Sequence, residues 1–242
     1  MEERGTPAYV AEFIGTFFLV LFVCSVVSVN SAGGLGFTDY AVIGLVHVFV
    51  LAGMIYALGS TSGAHFNPAV TLALAVKRKI AWLDVLIYWL VQLAGAVAAA
   101  LVTKLLLLDE GRAVDYGATT VSEKFLQGKP LGALLVEVIG TFILMWAIMT
   151  FAVNPRGERD WAGLGIGMSL GLGVVVFAPL DGAGFNPARS FGPAIVAGEF
   201  GDFWVYVVGP AIGAILAALA YTFVVLEPHE RQARAPIETL PG

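Results

Sequence analysis

Six long apolar runs organise the chain, at about 8–30, 40–60, 82–108, 130–153, 161–180 and 203–226. A helix needs about 20 apolar residues to cross ~30 Å of hydrocarbon, and each run reaches that length. Two shorter apolar stretches behave differently. Ala69 to Lys77 and Ala188 to Ala197 hold only about ten helix-compatible residues each, too few to span. Each follows a cluster of helix breakers and polar groups: GAHFNPAVT at 63–71 and GAGFNPARS at 182–190. The pattern predicts an all-α membrane protein of six transmembrane helices plus two re-entrant half-helices.

The two halves of the chain resemble each other. AEFIGTFFLV (11–20) matches VEVIGTFILM (136–145), the two NPA triplets lie 119 residues apart, and QLAGAVAAAL (92–101) answers GPAIGAILAA (209–218). The landmarks keep their order, so the unit of three spans and one half-helix is duplicated, over about 8–108 and 130–226. Three spans is an odd number, so the second copy enters from the opposite face and the repeat is inverted. Residues 227–242 form a tail.

Composition agrees with a membrane class. The chain of 242 residues is 58% hydrophobic and 13% charged, against roughly 25% charged in soluble domains. The net charge of −5 comes without any basic stripe, so nucleic acid is not an expected partner. Cys24 is the single cysteine, which excludes an intramolecular disulfide and a CxxC metal site, and it reads as a packed small residue. The N-terminus shows no cleavage signal, so the first run reads as a retained span. Placing both termini in the cytoplasm puts Arg4, Lys77, Arg78, Lys79, Arg156, Arg159, Arg231 and Arg234 inside. Lys104, Arg112, Lys124 and Lys129 then lie outside. That orientation is preferred, with the cell membrane as the expected residence. Gly163, Gly167 and Gly171, and likewise Gly209 and Gly213, recur at the spacing that lets membrane helices approach closely.

The paired breakers carry the chemistry. Asn67 and Asn186 can cap a first helical turn, with Pro68 and Pro187 next, where no amide donor is needed, and Ala69 and Ala188 following. Gly63 and Gly182 permit backbone conformations that a side chain resists. The carbonyls of Gly63, Ala64, His65 and Phe66, and of Gly182, Ala183, Gly184 and Phe185, can then leave helical pairing. At membrane depth such carbonyls are tolerated only where they line a wet cavity. Arg189 is the one charge in the second re-entrant segment, and an intramembrane charge is a functional candidate by default. Glu12 and Glu137 hold equivalent positions in spans one and four. They read either as ion-coupling carboxylates of a transporter or, preferably, as acceptors that brace the irregular loops.

SGAHFNPAVT and GAGFNPARSFGP resemble the paired signature loops of the aquaporin, or major intrinsic protein, family, over nearly the whole chain. The resemblance implies half-helices meeting at mid-membrane, a pore in each subunit and a homotetramer in the lipid bilayer. It also implies a narrow outer filter of His47, Val174, Ala183 and Arg189, and a loop-scaffolding role for Glu12, Glu137 and His65. Two positive helix ends facing each other repel cations and protons, a device long attributed to aquaporin-type pores. The His, aliphatic, Ala, Arg set resembles that of some plant tonoplast intrinsic proteins. Ser190 stands where glycerol facilitators tend to carry aspartate, and Ala194 and Tyr206 fit the water class, whereas Val207 replaces a tryptophan often found there.

The function expected is a passive channel for water, with ammonia and other small neutral solutes as further candidates, excluding protons and ions. The alternatives are an ion- or proton-coupled transporter, a poorly selective glycerol-permeable channel, or a junctional protein that merely keeps the fold. His47, His65 and His229 show no catalytic or metal spacing, and no phosphate loop follows a strand. No enzyme activity, cofactor or metal is therefore implied.

Overall fold

In the computed structural model, which describes residues 4–30 and 37–228, the chain is all-helical. Ten helices follow in order: α1 Thr6–Asn30, α2 Phe37–Ser62, α3 Pro68–Val76, α4 Trp82–Leu106, α5 Leu108–Arg112, α6 Glu123–Leu126, α7 Pro130–Ile148, α8 Ala162–Asp181, α9 Pro187–Ala197 and α10 Val205–Tyr221. Wider π-helical turns continue α7 through Met149–Val153 and α10 through Thr222–Leu226. Among the described residues, six helices are long and apolar enough to cross a membrane: α1, α2, α4, α8 and the two extended ones. The short α3 and α9 are the two half-helices. Small α5 and α6, joined through a 3₁₀ turn at Asp115–Gly117, have no counterpart in the hydrophobic pattern. The tail beyond residue 228, with His229, Arg231 and Arg234, lies outside the described residues.

The halves interlock. Within the first half α1 packs on α2 and α4; within the second α7 packs on α8 and α10, and α2 lies along α8. Each half-helix crosses over: α3 leans on α10, and α9 leans on α4. Both are wedged between α4 and α10, so the two breaker loops arrive at one place from opposite sequence halves.

Glycine makes the close crossings possible. A Cβ at Gly167 would stand 2.5 Å from Val48 O and one at Gly171 2.6 Å from Gly44 O, so the α8 glycines seat the α2 backbone directly. Gly209 brings α10 equally close to Glu137 on α7. Two other glycines act on the loops. A Cβ at Gly15 would collide with the Phe66 ring, and one at Gly140 with the Phe185 ring. Both rings are fully buried. Overpacking a filled core costs typically about 1–3 kcal/mol. Gly15→Val and Gly140→Val are therefore expected to lower the thermal unfolding temperature in detergent and to reduce the yield of folded protein. Unchanged melting in both would show that the rings have room to move.

Candidate functional site

Asn67 and Asn186 each do two jobs. Asn67 is the extended N-cap of α3 (φ −155°, ψ 118°), and its Oδ1 accepts from Ala69 N at 2.9 Å. Asn186 caps α9 in the same way (φ −156°, ψ 109°), accepting from Ala188 N at 3.0 Å and Arg189 N at 3.3 Å. Their Nδ2 atoms cross between halves. Asn67 donates to Phe185 O and Asn186 to Phe66 O, both at 2.8 Å. The two half-helices thus meet N-terminus to N-terminus, and their partial positive charges, each roughly half an elementary charge, face one region. The second Nδ2 hydrogen of each amide has no partner among the described residues.

The loops before the caps are strained and held from behind. Positive φ occurs at Gly63 (88°), Ala64 (51°) and Phe66 (48°), and again at Gly182 (85°), Ala183 (48°) and Phe185 (51°). A non-glycine residue pays of order 1–3 kcal/mol for such a conformation, so the surroundings must fix it. Glu12 does this for the first loop. Its Oε1 accepts from His65 N (2.9 Å) and Ser62 Oγ (2.7 Å), and its Oε2 from Phe66 N (2.7 Å) and Gln92 Nε2 (2.8 Å). Glu137 accepts from Gly184 N (2.6 Å) and Phe185 N (2.7 Å) in the second. Both carboxyls are wholly buried.

A central cavity of about 60 Å³ runs past these loops. A buried water needs on the order of 10–15 Å³, so the space suits a short file of waters. Gly63, Ala64, His65, Phe66, Asn67, Gly184, Asn186, His47 and Arg189 line it, opposite an apolar wall that includes Leu19, Leu51, Leu144 and Ile166. Arg189 is 4% exposed and donates from Nη1 to Gly117 O at 2.7 Å. His47 Nδ1 lies 2.8 Å from Ile43 O. A carbonyl only accepts, so the geometry assigns the proton to Nδ1 and leaves Nε2 an acceptor. Polar atoms and apolar wall alternate around one narrow space, the arrangement that orients small polar molecules while keeping few contacts with each.

Several expected positions fall elsewhere. Val174 and Ala183 are buried (1% and 0% exposed) and are not among the residues lining this cavity. Gly182 and Phe185 do not line it either. Gly182 is the left-handed cap of α8, packed against Thr119. The Phe66 and Phe185 carbonyls each accept one hydrogen bond from the opposite asparagine, because the inverted half-helices bring each to the other's cap. Pro68, Ala69, Pro187 and Ala188 are buried helix starts. His65 is tied by its ring to Thr71 Oγ1 (3.1 Å) and packs edge-on against Tyr88. Gly117, Ser62, Gln92 and Asp181 also belong to the site, and motif reading overlooked them. Ser62 and Asp181 directly precede the breaker glycines, which was the available signal.

The sequence profile of the major intrinsic protein family matches residues 3–221. The chain belongs to that family. It is 40% identical over 217 residues to Aquaporin NIP1-1 of Zea mays, covering 89% of this chain and 73% of the relative. Nodulin-26 of Glycine max is 38% identical over 215 residues, covering 89% and 76%. The aquaglyceroporin structure from Plasmodium falciparum superposes with a TM-score of 0.77 at 22% identity, over 93% of this chain and 98% of that one, which bears on the fold alone. The protein is thus a multi-pass membrane channel of the aquaporin family and not an enzyme. The relatives are of the NIP type, which corrects the tonoplast-type affinity suggested by the filter positions. Four side chains are too few to carry a subfamily against 40% identity over 217 aligned residues.

Proposed function

We propose that this channel passes water passively, carries ammonia as a second solute and excludes protons and other ions. The observation that carries the reading is the cross-capped pair Asn67 and Asn186, which joins two helix N-termini beside a cavity that also holds Arg189. Neutral water takes hydrogen bonds from the asparagine amides, while a cation meets the helix ends and the guanidinium. His47, Val174, Ala183 and Arg189 form the filter in this reading, His47 and Arg189 by direct contact and the other two by shaping the wall. Coupling to an ion gradient is disfavoured because Glu12 and Glu137 are spent on loop amides. We further propose a homotetramer with cytoplasmic termini in the cell membrane.

The His47 tautomer supports ammonia. Its Nε2 accepts a hydrogen bond, Arg189 donates, and Leu51 and Ile166 supply an apolar wall, so a molecule of water's size with both capacities fits. Internal pH of vesicles under an ammonia gradient tests this, with the parent and the His47→Phe, Val174→His double variant compared. The parent is expected to alkalinise well above empty vesicles and the double variant to lose most of that excess while still passing water. Ammonia flux equal to that of empty vesicles, alongside fast water flow, would leave a simple water channel.

A further inference from the structure

The two loops are braced by the same backbone plan and by different side chains. Asp181 stands 119 residues after Ser62, the spacing of the two NPA triplets. Ser62 Oγ accepts from Ala64 N at 3.0 Å, and Asp181 Oδ1 accepts from Ala183 N at 2.9 Å. Tyr88 hydroxyl donates to Ser62 O at 2.7 Å, and Tyr206 hydroxyl to Asp181 O at 2.8 Å. The likeness stops at the glutamates. Ser62 Oγ donates to Glu12, and Gln92 donates as well, so four hydrogen bonds saturate that carboxylate. Counted from the equivalent Tyr88 and Tyr206, Pro210 takes the place of Gln92 and offers no donor. Among the described residues, the donors to Glu137 are its two loop amides.

Asp181 Oδ1 and Glu137 Oε1 accept from adjacent loop amides, Ala183 N and Gly184 N, so the two acids stand side by side behind the turn. Asp181 is wholly buried, and its Oδ2 has no hydrogen-bond partner among the described residues. A carboxylate oxygen cannot donate, whereas a carboxyl O–H can. We propose that Asp181 is a positioning residue of the filter: carrying its proton, it donates to Glu137 as Ser62 does to Glu12, and so holds the Ala183 turn closed. Loss of that proton to water sets two carboxylates against each other behind Ala183 and loosens the turn. The proposal rests on the filter reading above.

Other ionisable groups bear on the pair. Arg189 on α9 and Tyr206 on α10 interact with both acids. Cys24 on α1 and His47 on α2 face Arg189 rather than Asp181. Glu123 and Lys124 on α6, which packs on α8, are exposed. Asp181 is therefore an acid at the place where the first latch has the Ser62 hydroxyl.

The test is osmotic water permeability of protein-containing vesicles from about pH 5 to about pH 9, the span that buried carboxyls can reach. Parent, Asp181→Ser, Asp181→Asn and His47→Phe are compared, each normalised to its own maximum. The parent is expected to lose permeability as pH rises, and His47→Phe to lose it likewise. Asp181→Ser, which copies the first loop, and Asp181→Asn, which retains an amide donor, are expected to flatten the profile. Two variants guard against one that does not fold. A flat parent profile with fast water flow overturns the latch and spares the channel, as does a fall that survives in both variants. Absence of flow from folded parent at every pH overturns the channel reading and the latch with it.

Discussion

Glu12→Ala is expected to leave almost no folded channel. The substitution strands two loop amides and a serine hydroxyl inside the membrane and leaves the Gln92 amide with Thr71 alone, where the wild-type carboxylate accepts from all four. Each buried donor left without a partner costs about 1–3 kcal/mol. The two amides alone therefore remove about 2–6 kcal/mol, against a total stability of about 5–15 kcal/mol for ordinary soluble domains. Glu12→Gln keeps one acceptor oxygen and should be milder. Glu137→Ala strands the amides of Gly184 and Phe185 and should rank between them. Gel filtration in detergent and thermal unfolding give the ranking. Glu12→Ala protein that elutes and melts like the parent would show that the loops hold themselves. Transport by the parent that required a proton or sodium gradient, and vanished in Glu12→Gln, would instead make the carboxylate a coupling site.

The other large effect is on what leaks. Arg189→Val is expected to admit protons or small cations while water still flows. The guanidinium is the fixed full positive charge lining the cavity, and its Nη1 hydrogen bond to Gly117 O holds it in place. Without it only the two helix ends remain to repel a cation, each worth roughly half a charge and fading within a turn. The valine also leaves the Gly117 carbonyl without that donor, so the 3₁₀ turn at Asp115–Gly117 should loosen and widen the opening. Dissipation of a pH gradient across vesicles reads the leak. A variant as proton-tight as the parent would assign the whole barrier to the asparagine-capped helix ends.

Much of this architecture is legible because single residues dictate it. Span lengths follow from apolar run lengths, and the half-helices follow from Asn-Pro starts before runs too short to cross. Glu12 and Glu137 stand out as acids in equivalent apolar surroundings, and their bonds to the loop amides agree with a bracing role. What escaped depends on contacts between distant segments. The Phe66 and Phe185 carbonyls accept from asparagines 120 and 118 residues away in sequence. Gly117 lies in a stretch without periodicity, where nothing marks one carbonyl as the partner of Arg189. Ser62 and Asp181 sit beside conspicuous glycines and look like ordinary helix ends until the two loops are compared. The proton position on His47 rests on Ile43 O one helical turn earlier, a partner that residue type does not reveal.

The central claim is a passive water pathway past Asn67, Asn186 and Arg189. Stopped-flow light scattering of vesicles with and without the protein, shrinking under a sucrose gradient, tests it most directly. The account predicts much faster shrinkage with protein, unchanged when proton and sodium gradients are collapsed. Shrinkage at the rate of empty vesicles from correctly folded protein, or acceleration that appears only with an ion gradient, would contradict it.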